Sequence, residues 1–147
     1  MAGDPVCDAF RAELQTVLTA ASIAWPIVDT DDGDDTPDGS APYVEIRFEG
    51  GSEELAYWGA PGSNLWREDG QVFIDFLVPL GTNRDAQEAY SRSVREAFRD
   101  RRFNATFGSD SVEIRIETAS PLGGPQGVDG AMTSRGIGLG YRIYNVG

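Results

Sequence analysis

A chain of 147 residues is long enough for one domain with a real core and too short for two comfortable ones. Hydrophobic residues at 40% and charged residues at 24% exclude wholesale disorder. Twelve basic residues against 24 acidic ones leave a net charge of −12, which disfavours broad electrostatic binding to DNA or to an anionic membrane.

Residues 1–10 carry Asp4 and Asp8 and no apolar run, so no secretory signal is expected there, and no apolar stretch approaches the length of a membrane span. Cys7 is the single cysteine, so no internal disulfide can form. Asp4-Pro5 reads as an N-cap and first helical residue. Val6, Phe10, Leu14, Val17 and Ala21 then recur at helical spacing, predicting a helix from residue 5 to about 21 with Cys7 as a packing residue in its first turn. Residues 24–27 follow as a short extended piece, because Pro26 biases Trp25 towards β geometry. Residues 29–40 form an acidic loop holding Asp29, Asp31, Asp32, Asp34, Asp35 and Asp38.

Residues 43–48 alternate Val44, Ile46 and Phe48 against Glu45 and Arg47, a half-buried strand. Residues 50–70 read as a long glycine-rich loop that nevertheless carries Leu55, Tyr57, Trp58, Leu65 and Trp66. Residues 71–80 are the strongest strand, with Val72, Ile74, Phe76 and Val78 on one face and Phe73, Asp75 and Leu77 on the other. Thr82 and Asp85 stand in capping-box position for a second helix whose apolar face runs through Ala86, Ala89, Tyr90, Ser93, Val94, Ala97 and Phe98. Arg92, Arg95, Arg99, Arg101 and Arg102 gather towards its C-terminal end, where cations suit the helix dipole. Residues 111–117 and 135–146 complete the strands, the last with one face thinned by Gly136, Gly138 and Gly140. The expected fold is α+β: a two-layer sandwich of about four main strands, mixed or antiparallel, with two helices on one face.

Catalytic and metal chemistry find little purchase. With no His there is no Ser-His or Cys-His pair and no His-containing zinc site. The acids sit in a loop or alternate outward along strands, away from any desolvated pocket that would tune a carboxylate pair. An EF-hand frame from Asp34 has Thr36 at the third position, Pro37 and Pro42 in the loop, and a strand where a helix is needed. The reading is therefore of a non-enzyme without cofactor or metal. The aromatic loop stands out instead, since Trp, Tyr and Arg anchor protein interfaces. It either folds back over its own sheet or, the preferred reading, contacts another subunit through Leu55, Tyr57, Trp58, Leu65, Trp66 and Arg67.

The layout resembles the tail terminator (minor tail) proteins of long-tailed phages and of phage-like gene transfer agents. The residues that carry the likeness are Ala24-Trp25-Pro26 after the first helix, Ala41-Pro42-Tyr43-Val44-Glu45-Ile46, and Arg67-Glu68-Asp69-Gly70-Gln71-Val72-Phe73-Ile74 after a glycine-rich loop. Gly81 before the second helix and the closing strand 135–144 complete it. The likeness runs over nearly the whole chain, treated as a single domain 1–147. It implies a structural virion assembly protein: a homo-oligomeric ring, six-fold in that family, at the tail-neck junction of a particle assembled in the bacterial cytoplasm. The implied partners are the tail tube protein and a head-tail connector or stopper, with DNA only in non-specific transit and no membrane. On this reading Asp29, Asp31, Asp32, Asp34, Asp35, Asp38, Glu53 and Glu54 supply acids to the channel or tube rim. The alternatives are another neck subunit or a small acidic binding module that mimics DNA.

Overall fold

In the computed structural model, residues 5–29, 33–35, 37, 39–57, 65–128 and 132–146 are described. Helix α1 (Pro5–Ala20) turns one stripe inward, burying Val6, Cys7, Phe10, Leu14, Val17 and Leu18. Its end is a Schellman turn. Ser22 takes the left-handed conformation (φ 59°), its N–H donates to Thr19 O at 3.1 Å, and the Ile23 N–H donates to Leu18 O at 2.9 Å. Buried Ile23 and Leu18 supply the apolar contact that accompanies this turn.

Strand β1 (Ile27–Val28) pairs parallel with β2 (Tyr43–Tyr57), which pairs antiparallel with β3 (Leu65–Pro79). Helix α2 (Arg84–Phe98) then crosses over to β4 (Arg102–Phe107), β5 (Asp110–Val128) and β6 (Met132–Val146). The sheet order is β1-β2-β3-β6-β5-β4, so the last strand inserts beside β3 and the chain closes a six-stranded mixed sheet.

This corrects the expected four-stranded, two-layer sandwich: the sheet has six strands and curls into a half-barrel around the helices. Strand β4 supplies part of the difference. Asp100 turns left-handed (φ 54°) and stops α2 at Phe98, so Arg101 and Arg102 leave the helix, and Phe103 and Ala105 become inward strand positions. The curl is visible at one ring. In a flat sheet, strands four places apart stand about 19 Å apart at about 4.8 Å per step. Yet the Phe10 ring lies 6.2 Å from Phe48 on β2 and 5.0 Å from Phe103 on β4, with Tyr141 on β6 at 5.2 Å. Register shifts between Glu49 and Ser52, Leu55 and Tyr57, Ile116 and Thr118, and Leu122 and Gln126 let such long strands bend.

The concave face holds the core: Val44, Ile46, Val72, Ile74, Phe76, Ile114, Ile116, Ile137, Leu139 and Ile143 against α1, Val94 and Phe98. A smaller cluster of Val28, Tyr43, Leu77 and Met132 covers part of the convex side. Two local expectations also change. The N-cap of α2 is Asn83, left-handed and without a side-chain cap bond, whereas Thr82 donates its hydroxyl to Pro79 O at 2.9 Å. The inward stripe of α2 is Gln87, Ser91, Val94 and Phe98, with Ala89 and Ser93 exposed.

Candidate subunit-contact surface

The region expected as a loop over 50–70 is mostly strand. Residues 52–57 of β2 pair with residues 65–69 of β3, and only 58–64 connect them. Residues 53–57 (Glu-Glu-Leu-Ala-Tyr) and 65–69 (Leu-Trp-Arg-Glu-Asp) lack the polar–apolar alternation that marks a half-buried strand, and Gly50, Gly51, Gly59 and Gly62 made the segment read as a loop. Cross-strand pairing sets Leu55 opposite Trp66, Tyr57 opposite Leu65, and Glu54 opposite Arg67. Trp66 shares the face of Val72, Ile74 and Phe76, while Leu65 and Arg67 share the other. Five of the six residues expected at a contact thus fall on one hairpin; Trp58 lies outside the described residues.

The buried positions of β3 stop at Val72, and every residue from Leu65 to Gln71 is half-buried or exposed. The hairpin therefore runs about 23 Å past its last buried position at about 3.3 Å per residue. A charge ladder stiffens its base on the convex side. Asp69 lies 3.2 Å from Arg67 Nε and accepts a 2.7 Å hydrogen bond from Arg142 Nε on β6. That hydrogen bond to Asp69 is the main reason the Arg142 pKa is raised. Arg142 also borders a shallow recess of about 200 Å³ with Glu113, Arg115 and Tyr144, the last 45% exposed.

Among the described residues, the predicted acids lie on separate elements. Asp29 is 1% exposed and its Oδ2 lies 3.2 Å from Arg11 Nε on α1, so it ties the end of β1 to the helix. Its N–H donates to Asp34 Oδ2 at 2.8 Å, and the Asp34 N–H donates to Asp29 O at 3.1 Å. Asp34 and Asp35 are exposed; Asp31, Asp32 and Asp38 lie outside the described residues. Glu53 is exposed far along β2, opposite Glu68. From Glu45, beside β1, to Tyr57 is twelve strand positions, about 40 Å of extended chain. The loop acids and the hairpin acids thus belong to opposite ends of one strand. Glu45, which would stand at the twelfth position of a calcium loop begun at Asp34, is a strand residue opposite Asp75.

Two groups escaped the sequence reading. Gln87 is fully buried and donates from Nε2 to Phe76 O at 2.7 Å and Thr133 O at 3.0 Å, clamping α2 to β3 and β6. Arg92, Arg95 and Arg135 border a common recess beside α2. Neither sits in a recognisable motif; a polar residue in register with Val94 and Phe98 was the available signal for Gln87.

Neither a family model nor a curated protein matches the chain. Solved structures do. One is 21% identical with a TM-score of 0.63, covering 97% of this chain and 96% of its own. It bears no description of function, and at that identity the likeness shows the fold alone. No helix among the described residues is long and apolar enough to cross a membrane.

Proposed function

We propose that this chain is a ring-forming tail terminator, a structural subunit that caps a phage-type tail tube and joins it to the neck. The observation that carries the reading is the β2–β3 hairpin, which continues past Val72 with Leu55, Tyr57, Leu65 and Trp66 and without a buried position of its own on β3. Apolar strand residues beyond a protomer's own core are the material of a contact between copies. A ring closes through such a contact when it is heterologous, one surface meeting a different one on the next copy. Acids on several elements suit a bore through which DNA passes without adhering.

The test is assembly on tail tubes, seen by negative-stain electron microscopy. Wild-type chain should cap one end of each tube and hold tube length constant. Leu65→Glu with Trp66→Glu, folded by circular dichroism, should leave tubes uncapped. Capping that survives this double substitution rules out the hairpin as the contact.

A further inference from the structure

The recess beside α2 gathers positive charge on an acidic molecule. Glu88, Ser91, Arg92 and Arg95 lie on one side of α2 at spacings of three and four residues, and Arg135 faces them from β6. Pro121, Gly136 and Ile137 form the floor, and the cavity holds about 80 Å³. Three guanidiniums thus meet one carboxylate on a chain whose net charge is −12. The Arg92–Glu88 ion pair there is slack: Arg92 Nη2 stands 3.6 Å from Glu88, with both side chains about half exposed or more (61% and 49%). The Arg95 Nε is shut off from solvent and has no hydrogen-bond partner among the described residues. A buried, unanswered guanidinium N–H is costly unless an acceptor fills the site.

We propose that this recess is an oxyanion-binding site and that its occupant is a carboxylate from an acidic segment of a second copy of the chain. Guanidinium groups offer paired N–H donors whose spacing matches carboxylate oxygens. A polynucleotide phosphate would have to approach against the field of the whole molecule, whereas a neighbouring copy brings its acids in along with an apolar contact. Acidic residues outnumber arginines 24 to 12, so each added copy costs repulsion unless some acids find a positive recess. A recess on one copy receiving an acid from the next is also a heterologous contact. The inference rests on the ring reading for its partner, and it names a second contact distinct from the hairpin.

The experiment uses the full chain with Arg95→Gln and Arg135→Gln together. The charge-matched control is Arg84→Gln with Arg99→Gln, the first residue of α2 and the residue that caps its end, both exposed and outside the recess. Unchanged circular dichroism and melting establish the fold. The recess variant should need about tenfold more protein for half-maximal tube capping and the control less than about twofold, the range of a desolvated charge contact against an exposed one. Equal shifts in the two variants overturn the proposal and leave the ring reading intact. A second readout does not depend on rings: nitrogen-15 spectra of the Arg Nε–H groups during titration with a synthetic peptide of residues 30–40, which holds five Asp. Selective, saturable shifts of Arg95 and Arg135 support the site even if wild-type protein caps no tubes, an outcome that would sink the ring reading alone. Shifts with inorganic phosphate but none with the peptide overturn the carboxylate assignment, and no shifts with either overturn the site.

Discussion

Asp29 shows how far a residue's neighbourhood can depart from its sequence company. Among five further aspartates in ten positions it reads as one more solvated charge, yet it is held inside, against Arg11, while Asp34 and Asp35 are exposed. Asp29→Asn should destabilise the fold by about 1–3 kcal/mol, because it removes the buried carboxylate charge that faces Arg11 Nε and leaves Arg11 with the exposed Asp8 pair. Asp35→Asn should cost less than about 0.5 kcal/mol, as for most exposed sites; equilibrium urea unfolding measures both. Gln87 makes a sharper case. Both of its partners are carbonyl oxygens, so the amide must present its NH₂ group to them. Gln87→Glu, nearly isosteric, would aim carboxylate oxygens at the same carbonyls and should cost about 2–4 kcal/mol, more than Gln87→Met of similar length. A Glu variant as stable as wild type would show that α2 is not held by this clamp.

At the scale of elements, chain ends and turns decided more than propensity. Helix α1 was legible nearly to the residue, because one apolar stripe and Pro5 at its start agree with what packs. Its Schellman turn was not, since Ser22 stands where glycine is usual; Ser22→Gly should raise stability by about 0.5–1 kcal/mol, read as a shift in the urea midpoint. In α2 the inward Gln87 and Ser91 break the apolar rhythm; of the expected face, Val94 and Phe98 are buried and Tyr90 and Ala97 pack against the core, whereas Ala89 and Ser93 are exposed. Strand β4 went unread because five arginines looked like one helix end, when a left-handed Asp100 divides them between helix and strand. Gly70 belongs here too. A Cβ at that position would strike the Tyr141 ring, which is itself locked against Phe10. Gly70→Ala should cost about 1–3 kcal/mol through displacement of that ring, visible in thermal melts; a cost near zero would mean the ring moves freely.

For the whole molecule, charge is the quantity that the proposed ring must overcome. Six copies at −12 each would carry −72. Exposed acids are screened by salt, so raising ionic strength from about 0.05 to 0.5 M should promote capping, provided the hairpin contact is apolar. Assembly that weakens steeply over that range would instead show charge pairing in command. Particles carrying Asp31, Asp32, Asp34, Asp35 and Asp38 all as Asn should deliver less DNA if those acids face the bore; unchanged delivery would assign them to keeping free subunits apart. The sequence by itself determined the first helix, the alternating faces of β2, β3, β5 and β6, and the acidity, because each depends on neighbours a few residues away. Only the tertiary structure decided that the sheet curls, that 50–70 is mainly hairpin, that Asp29 is interior, and that arginines from α2 and β6 share a recess. Those outcomes depend on residues such as Phe10 and Phe103, or Arg95 and Arg135, that lie far apart along the chain and meet only when long strands bend around a common core.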